Sequence, residues 1–211
     1  MFFISVLRNF YRLVRVIISY SQTRILYNKF TIARYFRKQG AKIGEDCVFS
    51  VRWIGDQPFL VEIGNHVFVA RGAKLETSGS SWIVNDEDAH IGVFGKIIIE
   101  DNCMIGMNAQ ILPNVRIGKN SIVGAGSVVI NNVPPNSIVM GVPARVIGSS
   151  IKYKERIISE WERIKPPGWV YKNTKQRDEM LKKYFCVPSP QQAEKRLTII
   201  RKEAHCRLEH L

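Results

Sequence analysis

The sequence predicts an all-β core wound as a parallel β-helix, and three observations carry that prediction. From Ile99 to Val133 an aliphatic residue recurs every six positions: Ile99, Ile105, Ile111, Ile117, Val123 and Val129. Four places after each comes a small or β-branched residue: Cys103, Ala109, Val115, Ser121, Ser127 and Val133. Between these slots lie turn formers such as Asp101-Asn102, Gly106-Met107-Asn108 and Gly118-Lys119-Asn120, which tolerate left-handed backbone. A helix repeats its apolar face at about 3.6 residues and an ordinary strand at about 2, so a sustained period of six fits neither. It fits short strands joined by tight turns, each aliphatic side chain pointing inward and stacking on its counterpart about 4.8 Å away in the next coil. Ordinary strands of a sandwich would not keep six consecutive hexads in phase. The period leaves the hand of the coil open.

Residues 1–40 read as helical and basic, ending at Gly40. Within the first twenty, Arg8, Arg12 and Arg15 share one helix face, while Phe3, Val6, Phe10, Leu13, Val14 and Ile17 gather opposite. That is an amphipathic helix. Its charges make it poor as a membrane span, and it lacks a small-residue cleavage site. Either it lies on an anionic membrane surface or its apolar stripe docks on the rest of the protein.

Residues 41–148 form the β-helix domain. Ile43 with Cys47, and Ile63, Val69 and Leu75 with Val67 and Ala73, show the same phasing, interrupted by an irregular piece at 51–60. The phase breaks again between Thr77 and Lys96, where a polar stretch carries the cluster Asp86-Glu87-Asp88. A loop thrown out of a regular solenoid is where function is expected to concentrate. Coils resume at Ile97, and Pro134-Pro135 stops strand pairing. Residues 149–211 form a helical, charged C-terminal extension punctuated by Pro166-Pro167-Gly168, Pro188 and Pro190.

The net charge of +13 suggests a nucleic-acid protein until it is divided along the chain. Residues 1–40 carry +8, residues 41–148 carry −2 and residues 149–211 carry +7. The core is near neutral and no nucleic-acid-binding motif accompanies the basic ends, so an anionic membrane or anionic ligand is the better partner. The four cysteines have neither zinc nor redox spacing. Cys47 and Cys103 occupy inward slots, as structural thiols of a reducing compartment do. No metal site is expected.

The segment IEDNCMIGMNAQILPNVRIGKNSIVGAGSVVINNVPPNSIVMGVPARVIG, residues 99–148, resembles the hexapeptide-repeat acyltransferases. The run GAGSVV followed by NNVPPNS and GVPARVI is the specific part, and the likeness is to their sugar and polysaccharide O-acetyltransferase branch. The resemblance covers roughly residues 41–148 and leaves both tails unexplained. It implies a left-handed winding, a homotrimer, and acetyl-CoA as co-substrate in the cleft between neighbouring β-helices. It further implies that the pantetheine arm runs past Met107 and Ala125, with Arg145 facing the phosphates and Ile130-Asn131 bordering them. Many relatives have Thr-Lys where this chain has Ile130-Asn131, so one cation is missing here.

Acetyl transfer to a sugar hydroxyl needs a positioned base, because the hydroxyl is a poor nucleophile at neutral pH. The family uses a histidine in a stretch like T-H-D-G-G-x-W. The matching stretch Glu76-Thr77-Ser78-Gly79-Ser80-Ser81-Trp82 puts Thr77 at that histidine. A threonine hydroxyl does not accept a proton usefully without a base of its own. His205 and His210 lie in the charged tail and His66 in a turn, which leaves His90, beside the acidic cluster, as the candidate base. The expected function is acetyl-CoA-dependent O-acetylation of a sugar in bacterial surface polysaccharide synthesis, in the cytoplasm, with residues 1–20 available for peripheral contact with the inner membrane. Two alternatives stay open. One is N-acetylation of an aminosugar, whose amine needs less help from a base. The other is a β-helix trimer that binds CoA or glycan without turnover.

Overall fold

Each hexad becomes a two- or three-residue strand followed by a turn, and along residues 61–75 and again 97–129 successive strands go to three different sheets in rotation. The computed structural model describes residues 27–79, 92–165, 168–170 and 173–182. In the first sheet β1 (Lys42–Ile43), β3 (Val61–Ile63), β8 (Ile97–Ile99) and β11 (Arg116–Ile117) pair in that order. The second holds β2 (Val48–Phe49), β4 (Phe68–Val69), β9 (Met104–Ile105), β12 (Ile122–Val123) and β14 (Ser137–Gly141). The third holds β5 (Lys74–Leu75), β10 (Gln110–Ile111) and β13 (Val128–Val129). All of these pairs are parallel. Only then does β15 (Ala144–Ser149) fold back antiparallel on β14.

The register reports the repeat directly. Ile99 pairs with Ile117, Ile105 with Val123 and Ile111 with Val129, so one turn of the chain takes 18 residues. Between Ile63 and Ile99 the step is 36 residues, and the extra length is the excursion. Its root is a short antiparallel pair, β6 (Ser78–Gly79) with β7 (Val93–Phe94). Between Ile43 and Ile63 the step is 20, because the irregular 51–60 segment, with a 3₁₀ turn at Pro58–Leu60, replaces a strand.

The hydrophobic core follows the two slots. Ile63, Val69, Leu75, Ile99, Ile105, Ile111, Ile117, Val123 and Val129 are buried, as are the small-slot residues from Cys47 to Val133. Three small slots of one column carry a side-chain donor for a reason. Cys47 Sγ donates to Gly64 O at 3.1 Å, Cys103 Sγ to Gly118 O at 3.2 Å and Ser121 Oγ to Pro134 O at 2.9 Å. Each satisfies a carbonyl of the next coil that the turn leaves without a backbone donor. Burial pushes the Cys103 thiol up to about 11, which keeps its proton in place as a donor.

A helix covers the N-terminal end of the three sheets. α1 (Ala33–Lys38) closes the first coil with Ile32 and Phe36, both fully buried, and Phe36 meets Phe49 edge to face at 5.5 Å. At the other end α2 (Ser150–Ile164) starts where Ser150 N donates to Asn136 O at 3.0 Å. Contacts divide the chain into two units after Arg156, within α2. In the second, Trp161 and Trp169 meet edge to face at 5.0 Å, and Asn173 caps α3 (Thr174–Leu181) by accepting from Gln176 N at 2.9 Å. No helix among the described residues is long and apolar enough to cross a membrane. The amphipathic segment 1–20 lies outside them.

Candidate functional site

The excursion leaves the coil at Thr77, and the structure seals that position. Thr77 is 1% exposed; its Oγ1 donates to Gln57 Oε1 at 2.8 Å and accepts from Gln57 N at 3.2 Å. Gly55, at φ +98°, lets the 51–60 segment close over it: a Cβ there would stand 2.8 Å from Thr77 Oγ1 and from Leu75 O. The hydroxyl is therefore spent on holding the root of the excursion. His90 and the acidic cluster Asp86-Glu87-Asp88 lie outside the described residues.

The expected cofactor residues fall into three places, all solvent-exposed. Met107 and Ala125 stand in successive turns between the second and third sheets, and Met107 O accepts from Gly126 N at 2.7 Å. The register puts Arg71 in the same column: Phe68 pairs with Met104, and Asn108 N donates to Arg71 O at 3.1 Å. The sequence hid this relation because the excursion separates Arg71 from Met107 by two turns' worth of chain. Ile130 and Asn131 follow β13, at the far end of that strand from Ala125, so the two pairs do not share a turn. Arg145 stands on β15 opposite Met140, and its guanidinium donates only to the adjacent Ala144 O among the described residues.

His66 belongs to another column. Asp46, His66, Asn102, Asn120 and Asn136 all adopt φ between 54° and 59°. Asn102 Nδ2 donates to Asn120 Oδ1 and Asn120 Nδ2 to Asn136 Oδ1, each at 2.9 Å. That order leaves Asn102 Oδ1 as acceptor, so His66 Nδ1, 2.8 Å away, is the donor that extends the ladder. The imidazole is part of the turn structure.

The outward faces of the sheets differ in chemistry. On the first, Glu62 accepts from Lys42 at 2.9 Å and Lys96 at 2.8 Å, and Glu100 pairs with Arg116 and with Lys119 N. These partners hold both carboxyls below the ordinary glutamate range, through Lys96 and then Lys42 at Glu62, and through the Lys119 amide and then Arg116 at Glu100. On the second, Phe68 and Met104 are exposed and Ile122 and Ile138 half-buried, an apolar stripe with no charge in it.

Comparison with known proteins bears on these features. The model of the bacterial transferase hexapeptide family (six repeats) matches residues 96–131. Protein CapG of Staphylococcus aureus is 43% identical over 126 residues, which cover 58% of this chain and 73% of CapG. Galactoside O-acetyltransferase of Escherichia coli is 40% identical over 91 residues, 42% of this chain and 44% of that enzyme. A hexapeptide-repeat acetyltransferase of Vibrio cholerae, solved with acetyl coenzyme A, is 32% identical with a TM-score of 0.48, covering 52% of this chain and 60% of that one. The chain thus spans about three quarters of CapG and less than half of the galactoside enzyme.

Proposed function

The chain belongs to the hexapeptide-repeat acyltransferases, and we propose that it moves the acetyl group of acetyl-CoA onto a sugar hydroxyl during assembly of a bacterial surface polysaccharide. The observation that carries this reading is the open column of turns at Met107 and Ala125, together with an Arg145 guanidinium that no carboxylate neutralises among the described residues. Backbone groups of the column suit the amides of a pantetheine arm, and Arg145 suits phosphate oxygens, which it can bind in a bidentate fork. Ile130 and Asn131 border that end and contribute no cation. When bound, acetyl-CoA supplies an activated thioester.

The acceptor oxygen forms a bond to the acetyl carbon, the carbon–sulfur bond breaks, and CoA leaves as the thiol. The hydroxyl proton must go to a base as the bond forms. Thr77 is buried and fully occupied with Gln57, so we assign the base to His90. The coils wind left-handed in this reading, against the usual right-handed crossover. The apolar outward stripe of the second sheet supports a homotrimer whose clefts complete the site. The enzyme works in the cytoplasm, with residues 1–20 and their arginines resting on the inner membrane leaflet.

The full chain should release thiol from acetyl-CoA only when a sugar acceptor is present. Arg145→Ala should weaken CoA binding by about 1–3 kcal/mol, the worth of charge-assisted hydrogen bonds. Unchanged CoA affinity would place Arg145 elsewhere. CoA binding without thiol release on any acceptor, sugars and aminosugars included, would favour a binding protein over an enzyme.

A further inference from the structure

Arg71 stands at the end of the Met107–Ala125 column, and we propose that it anchors an acidic group of the acceptor, a carboxylate or phosphate borne by the sugar. The proposal rests on the cofactor reading of that column. The column advances from Ala125 to Met107 to Arg71, one coil at a time. Arg145 follows the last coil, so phosphates held there leave the thioester and its acceptor towards the Arg71 end. Arg71 shares its coil with Thr77, from which the excursion departs.

Its backbone is rigidly placed. Arg71 O accepts from Asn108 N at 3.1 Å, and Gly72 follows at φ +74°, where a Cβ would stand 2.0 Å from Asn108 Oδ1. Glycine enters that left-handed turn without the contact a Cβ would force on the Asn108 side chain. The side chain is exposed and makes no hydrogen bond or ion pair among the described residues. Arg37, Lys42, Lys96 and Arg116 are by contrast each matched to a carboxylate. Lys74, the outward residue of β5, adds a second exposed cation three residues on, and the half-buried Glu76 follows the end of that strand. A guanidinium held on a fixed turn, unmatched and backed by a lysine, is built to receive a planar or tetrahedral oxyanion.

Binding of three probes to the CoA-saturated full chain tests this: methyl β-D-glucuronide, glucose 1-phosphate and the neutral methyl β-D-glucoside. A charged probe should bind at least about tenfold more tightly than the glucoside, the carboxylate and phosphate arms telling which anion is read. Arg71→Gln should abolish the preference, Arg71→Lys should keep part of it, and CoA affinity should stay unchanged in both. Equal affinity for charged and neutral probes, binding of none, a preference that survives Arg71→Gln, or CoA affinity lost with Arg71 would each overturn the proposal. Titration of CoA alone tests the underlying cofactor reading separately, and the charge preference is measured without CoA as well.

Discussion

The hydroxyl of Thr77, which the family resemblance sets against a histidine, has surroundings that explain what it does. Thr77 Oγ1 is bonded twice to Gln57, once to the amide nitrogen and once to the side-chain oxygen, under a segment that Gly55 allows to close. Thr77→Ala leaves both Gln57 groups short of a partner in a partly buried place, at a cost of about 1 kcal/mol in thermal or denaturant unfolding. Its acetyl transfer per folded molecule should stay near wild type. Thr77→His should destabilise rather than add a base, because an imidazole must displace the 51–60 backbone. His90→Ala should lower kcat by about 10²–10⁴ while CoA affinity holds, the usual cost of a lost general base. Near-full activity in His90→Ala would move the base to another residue.

At the scale of the element, the unit is a short strand and a turn, too small to be stable alone and held by its neighbours above and below. The aliphatic and small slots were legible because each must point inward at a fixed spacing, and every one read from Ile99 to Val133 is buried. The antiparallel return of β15 was not legible, since nothing in the hexads signals a strand that leaves the period. Nor was the Arg71 column, because register across an excursion is set by pairing of β4 with β9 and not by spacing in the sequence. The candidate site was legible only as far as the repeat reached; its proposed base falls in the excursion, beyond the pattern.

Between coils, Glu100 is the clearest lateral tie, accepting from Lys119 N at 2.8 Å and from Arg116. Its carboxyl titrates below the ordinary 4.5 in the folded protein, so the folded state binds that proton less readily than the unfolded one. The stabilisation is therefore fully present above 4.5 and fades as pH falls through the lowered folded value. The partly exposed pair should be worth about 1 kcal/mol or less. Glu100→Gln should lower stability at pH 7 by that amount and match wild type in strong acid. A difference that is constant across pH would show that the ion pair and the amide bond contribute nothing specific to the charge.

Across the molecule, the first sheet presents matched charges to water and the second presents Phe68, Met104, Ile122 and Ile138. An ionic face loses hydration when buried and gains little, whereas an apolar stripe gains on every coil it covers. Self-association should therefore use the second sheet. A closed ring is the economical outcome, since identical chains joined head to tail by one stripe end only when the rotation closes. Light scattering of the full chain at micromolar concentration should give three times the chain mass. Met104→Glu places a carboxylate in the middle of the stripe, beside Phe68 by register, and should release smaller species. Lys42→Glu, on the first sheet, should leave the mass unchanged even though it breaks the contact with Glu62. If the cofactor cleft lies between subunits, Met104→Glu should also lose CoA affinity in step with the trimer, although Met104 itself need not touch the ligand. A wild-type monomer, or a Met104→Glu trimer that binds CoA as before, would remove the second sheet from the assembly.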